Sequence, residues 1–169
     1  MPKQVGVIIG SVRTGRMGKP IADWVMKMGE LHKGDLAFKL LDLKDIDLPF
    51  MDEPAPPMMT DDYAHEHTRR WSGMIKACDA LIIVAPEYNG GYAPVLKNAI
   101  DFLYKEWAGL TVGIVAYSGG GPKNSIRQIR EILDRVGMNV LDHTVTIGNV
   151  WEAIDETGNV KSESMRGDI

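Results

Sequence analysis

The chain has 169 residues, of which 44% are hydrophobic, a formal net charge of -4 and one cysteine, Cys78. That length suits a single domain able to bury its own core. The acidic balance, with basic residues dispersed outside one loop, excludes the electrostatic footprint of a nucleic-acid or anionic-membrane binder, and one cysteine excludes an internal disulfide or a cysteine zinc cluster.

In chain order, the first apolar run is Val5 to Ile9, followed at once by the loop GSVRTGRMGKP from Gly10. Ile21, Trp24, Val25, Met28 and Leu31 then recur at helical spacing, and Pro20 suits a first helical turn, where a missing N–H costs nothing. Phe38 to Leu43 is the second run. The proline-rich segment LPFMDEPAPPMMTDD follows, and it can continue neither a helix nor a central strand. Irregular loops of this length are often functional, so Met51 to Met59 either borders a site or is a plain connection. Ala64, Thr68, Trp71, Ile75 and Cys78 form a second helical face, with Thr60 placed to cap it. Ala80 to Ala85 is the third strand. Leu96, Ala99, Ile100, Leu103 and Trp107 make the third helix, Thr111 to Tyr117 the fourth strand, Ile126 to Val136 the fourth helix and Val140 to Ile147 the fifth strand. The expected architecture is α/β, a three-layer sandwich with a five-stranded parallel sheet and helices on both faces. Residues 1–155 are expected to form the domain, with 156–169 a polar tail; from Asp155 onward the chain reads as surface or disorder. No apolar segment reaches the roughly 18 residues of a membrane span, and the opening residues lack a signal peptide's apolar core, so a cytoplasmic location is expected.

In open α/β sheets ligands lie beyond the carboxyl ends of the strands, near the point where strand order reverses. Three loops fall at such ends: Gly10 to Lys19, Pro86 to Tyr92 and Ser118 to Lys123. The first brings Ser11, Arg13, Arg16 and Lys19 to backbone that glycines leave open, just before a helix whose positive end favours an anion. It has neither GxGxxG nor GxxxxGK[ST] spacing, so no dinucleotide fingerprint or nucleoside-triphosphate loop is present. By itself it fits an anion site or a glycine-rich turn with exposed cations. The second loop, PEYNGGYAPVLKNAIDFL, offers a rigid proline, a flat aromatic, an amide and bare backbone, suited to bracketing a planar ring or to an ordinary turn. The third, SGGGPKNS, can expose consecutive N–H groups as a nest.

These segments, with DEPAPP and EHTRRW, make the sequence from Val5 to about Val150 resemble the NADPH-dependent FMN reductase family of the flavodoxin-like superfamily, which includes quinone, azo-dye and chromate reductases. The resemblance implies a flavodoxin-like fold with noncovalent FMN. Its phosphate would be held by Ser11 and Arg13, with Arg16, Met17, Gly18 and Lys19 in the same loop. Pro86, Glu87, Tyr88, Asn89 and Gly90 match the segment lining the ring, and Ser118, Gly119 and Gly120 the loop at its pyrimidine edge. Where relatives often carry Ser-x-Pro-Gly after PEYN, this chain has Gly90, Gly91, Tyr92, Ala93 and Pro94, a departure that bears on substrate preference. The implied activity is an FMN-dependent NAD(P)H oxidoreductase passing electrons from NADPH or NADH to a quinone or similar small acceptor, in a homodimer or homotetramer. An FMN-binding electron carrier or regulatory protein, and a phosphate-ligand module without flavin, are the alternatives.

No acid–base side chain is obligatory, because a flavin carries the chemistry. Glu87 is the one weak candidate for a proton carrier, and a structural carboxylate bonded to backbone is the preferred role. N–H groups from Ser118 to Gly121 are placed to stabilise negative charge on a reduced ring. His65 and His67, two apart on the expected helix, do not share a face and read as surface residues rather than metal ligands. Cys78 reads as a buried inert thiol. Met58 and Met59 either rim an apolar pocket or lie exposed, and Tyr104, Trp107 and Trp151 are core or interface.

Overall fold

A computed structural model describes residues 1–32 and 34–166. Five parallel strands form the sheet: β1 (Lys3–Ile9), β2 (Leu36–Asp42), β3 (Ala80–Tyr88), β5 (Thr111–Tyr117) and β6 (Asn139–Ile147), in the order β2-β1-β3-β5-β6. Each strand matches one apolar run of the sequence. Two short antiparallel strands were not expected: β4 (Gly91–Tyr92), which pairs with the end of β3, and β7 (Met165–Arg166), which extends the sheet beyond β6.

Alternation along the strands divides the core. Ile8, Ile83 and Ile114 point to one face, covered by α3 (Glu66–Lys76), α4 (Pro94–Asp101) and α5 (Lys123–Arg135). Val7, Ile9, Val84 and Val115 point to the other, where they meet Ile21, Ala22 and Val25 of α1 (Gly18–His32). Both faces are buried, which is why the strands read as continuous apolar runs. A single turn of helix, α2 (Leu43–Ile46), takes Leu43 from the end of the expected second strand, with Asp42 as its cap.

The second face is completed by the C-terminal segment. Val150, Ala153 and Val160 are buried there beside α1, and the segment is pinned by Lys161 N–H to Ala153 O at 2.8 Å and Gly148 N–H to Ser164 O at 2.9 Å. The expectation of surface or disorder from Asp155 is therefore corrected at Val160 and Ser164, which are buried, while Glu156 to Gly158, Ser162 and Glu163 are exposed; residues 167–169 lie outside the described residues. Periodicity was absent because the segment uses turns, with Asp155 accepting from the amides of Thr157 and Asn159.

Two helix limits also differ. Thr60 does not cap α3: its hydroxyl accepts from the Asp62 amide in a local turn, His65 occupies the cap position, and Glu53 takes the amides of Ala64 and His65. The helix expected to reach Trp107 ends at Asp101, and a separate 3-10 turn, Lys105–Trp107, buries Trp107 and Glu106. Among these elements Glu106 accepts hydrogen bonds from Tyr63 and Ser72, tying the end of the proline-rich loop to α3.

Candidate functional site

The reversal of strand order falls at β1, whose carboxyl end lies between those of β2 and β3. The loops after β1, β3 and β5 meet there around a cleft of about 130 Å³. From the opening loop, Arg13, Arg16 and Met17 line it; from the second, Pro86, Glu87 and Tyr88; from the third, Ser118 and Gly119.

Ser11 is wholly buried, and its hydroxyl is 2.6 Å from the Tyr88 hydroxyl. The Arg13 guanidinium stands over the Tyr88 ring, 5.4 Å from its centroid, a cation–π distance. Tyr88 thus joins the first two loops. Arg16 is committed elsewhere: its fork meets Asp42 at 2.9 and 2.5 Å and also bonds the Ser11 carbonyl. Both partners are nearly buried, so Arg16 braces the loop against the end of β2 and Arg13 is the cation left to face a ligand. Lys19 pairs with Asp23 one turn along α1 and does not line the cleft.

The second loop is a hairpin, where the sequence suits either a ring-bracketing loop or an ordinary turn. Asn89 and Gly90 have φ of 51° and 78° and form a two-residue connection between β3 and β4, the Asn-Gly hairpin turn that needs left-handed backbone. Asn89 and Gly90 are exposed at its tip, outside the cleft lining. Gly90 is held by Gln128, whose amide donates to its carbonyl at 3.0 Å. The Glu87 carboxylate accepts from the backbone amides of Asn124 and Ser125, both at 3.0 Å. These are second and third amides of α5, whose own cap position, Pro122, makes no side-chain cap bond. Glu87 therefore acts as a cap supplied from another strand, satisfying donors that a helix start leaves free.

In the third loop the Ser118 amide bonds the Ile147 carbonyl at 3.1 Å, continuing the sheet. Ser118 thus cannot offer its N–H to a ligand, and the nest reduces to the glycines after it. Gly120 lies in a neighbouring hollow with Lys123 and Asn149 rather than in the cleft.

Residues that sequence reasoning missed come from the cleft's floor and rim. Tyr117, the last residue of β5, lines it; the residue is buried at 4% exposure, and its hydroxyl has no hydrogen-bond partner among the described residues. Gly18, buried at the start of α1, makes room for it: a Cβ there would lie 2.7 Å from the Tyr117 hydroxyl oxygen. Trp151, 71% exposed, forms the rim beside Gly119. Tyr117 ends an apolar run and was legible only as core, and Trp151 carried no distinguishing pattern.

The other singled-out residues lie elsewhere. Pro56, Pro57 and Met58 border a separate groove of about 450 Å³ against α4 and α5, so the proline-rich loop does not line the cleft. The rings of His65 and His67 are stacked, 5.2 Å apart, contrary to the expectation that they diverge, because His65 is the extended cap residue and not part of the helix. His67 pairs with Asp52 at 2.9 Å, and among the described residues no group of three metal-ligating side chains occurs. Cys78 is buried, donates to the Met74 carbonyl, and burial pushes its thiol pKa up. Trp107 is core. No helix among the described residues is long and apolar enough to cross a membrane.

The sequence and the fold can be set beside those of known proteins. The family model for NADPH-dependent FMN reductase matches residues 4–152. An NAD(P)H-dependent FMN reductase of Schizosaccharomyces pombe is 41% identical over 135 residues, 79% of this chain and 67% of that protein. A 2-hydroxy-1,4-benzoquinone reductase of a Burkholderia species is 28% identical, over 98% of this chain and 90% of its own. The structure of FerB, a flavoenzyme NAD(P)H:(acceptor) oxidoreductase from Paracoccus denitrificans, superposes with a TM-score of 0.74 at 26% identity, covering 95% of this chain and 87% of that one. The chain belongs to the NADPH-dependent FMN reductase family.

Proposed function

We propose that the cleft binds FMN and that the chain is an NAD(P)H-dependent oxidoreductase reducing quinones or similar small acceptors. The observation that carries this is the Ser11–Tyr88–Arg13 junction at the reversal of strand order, where one loop offers anion donors and the next a planar wall. FMN held there would supply the redox chemistry that links hydride donation by a nicotinamide to reduction of an acceptor.

The chain's own share is binding and orientation. With the Tyr88 hydroxyl donating to Ser11 Oγ, the serine hydrogen is free to donate to a phosphate, and Arg13 supplies charge-assisted hydrogen bonds. The Asp42–Arg16 pair fixes the loop's shape without adding net charge. Pro86 to Tyr88 form the side for the ring. The glycine amides after Ser118 supply dipoles for its polar edge, and Trp151 narrows the access. Glu87, held by α5, orients the ring-lining strand and is not a proton carrier in this reading.

Purified protein with bound flavin should be yellow, and oxidation of NADPH or NADH should depend on an added quinone. A colourless protein that takes up no FMN removes this function. A protein that binds FMN but oxidises neither nicotinamide is the carrier. A cytoplasmic location and self-association belong to the same reading. The groove between α4, α5 and the proline-rich loop, with Met58 exposed along it, is apolar surface of the kind that subunit contacts cover. Sedimentation equilibrium tests for a homodimer or homotetramer.

A further inference from the structure

We propose that the Tyr117 hydroxyl is a phosphate ligand, donating a hydrogen bond to the phosphate monoester of FMN from the end of β5. This rests on the flavin reading above and adds a residue from the sheet itself to an anion site otherwise built from the opening loop.

A buried hydroxyl without a partner is destabilising, and phenylalanine would fill the same space without that cost. Tyr117 keeps the hydroxyl, and Gly18 gives up a side chain to admit it, since any Cβ there would meet the oxygen at 2.7 Å. Gly18 is the first residue of α1, a helix of 15 residues. The hydroxyl therefore lies against the end of a long helix where free amides and the dipole favour negative charge.

The groups around it suit a dianion. Arg13 and Arg16 both act on Tyr117 electrostatically, and Asp42 neutralises Arg16, leaving one net positive charge. Ser11 is close enough for its hydroxyl to favour the ionised form of Tyr117 slightly, but its short hydrogen bond is to Tyr88 and it makes no well-formed one to Tyr117. Burial, and then Tyr88, push the Tyr117 pKa well above that of an ordinary phenol, with Ser11 and the two arginines only partly offsetting them. The phenol stays protonated and acts as a donor. A phosphate with three terminal oxygens can accept from Ser11, Arg13, the helix start and Tyr117 together, whereas the uncharged riboflavin tail cannot use the set.

Flavin-free wild type and Tyr117→Phe are titrated with FMN and with riboflavin, following flavin fluorescence, and their melting temperatures are compared without flavin. The expected result is an FMN Kd raised at least roughly tenfold, a riboflavin Kd within about twofold of wild type, and an unchanged or higher melting temperature for the variant. Gly18→Ala, which displaces the hydroxyl, should reproduce the FMN-selective loss. Inorganic phosphate should compete with FMN more weakly in Tyr117→Phe than in wild type. Equal losses for FMN and riboflavin, or no loss for FMN, overturn the assignment while leaving the flavin site standing. Wild type that binds neither flavin overturns both.

Discussion

Removing the Glu87 carboxylate tests whether its role is to hold α5. In Glu87→Ala the amides of Asn124 and Ser125 lose an acceptor that each meets at 3.0 Å. Ser125 is wholly buried, so water cannot replace the acceptor there, while Asn124 is exposed and water can. One buried charge-assisted bond and a lost helix cap together give about 2 kcal/mol. For a chain of this size that lowers the melting temperature by about 4–8 °C. Glu87→Gln keeps an acceptor oxygen but not the charge at the positive end of α5, and should lose about half as much. Thermal denaturation of the flavin-free forms by circular dichroism measures both. An unchanged melting temperature in Glu87→Ala, or a glutamine variant no better than alanine, refutes the capping argument. Turnover is the second readout. A proton carrier is typically worth about 100-fold or more, so a loss of that size in Glu87→Gln at full flavin loading assigns Glu87 to the chemistry instead.

Asp42→Ala leaves Arg16 without its counter-ion in a nearly buried position, and urea denaturation should show a loss of about 3 kcal/mol. Acidification should destabilise the fold through Glu106: burial alone would raise its pKa, but hydrogen bonds from Ser72 and Tyr63 and the charge of Lys76 bring it below the ordinary carboxylate value. Its contribution is complete above the unfolded carboxylate range and is lost as pH falls through the depressed folded value; urea midpoints followed from about pH 6 down to about pH 3 should fall less steeply in Glu106→Gln than in wild type, with the difference opening below the ordinary carboxylate range. Cys78 should resist a thiol reagent in the native protein and react only on unfolding, since it is buried and its pKa is raised; rapid labelling of folded protein counts against it.

Much of the architecture was legible along the chain because a parallel sheet buried on both faces writes itself as uninterrupted apolar runs. Val5 to Ile9 and Ala80 to Ala85 could scarcely be anything else between amphipathic stretches. The loops that meet at the cleft were legible for the same reason, since strand carboxyl ends can be counted from the runs. The hairpin at Asn89-Gly90 was not among the expected elements, although the left-handed backbone it needs is a local property of two residues. What the chain alone did not disclose depends on partners distant in sequence. Asp42 neutralises Arg16 from 26 residues away, Glu87 caps a helix 37 residues on, and Val160 returns to cover a sheet face through a segment whose turns have no period. Tyr117 looked like the end of a buried strand, and it is one; only the packing of Gly18 against it shows that its hydroxyl is buried without a partner beside the start of a helix. Local pattern specifies elements because it acts through backbone propensity and burial, while the tertiary structure decides which charge meets which donor, because those pairings require the chain to be closed on itself.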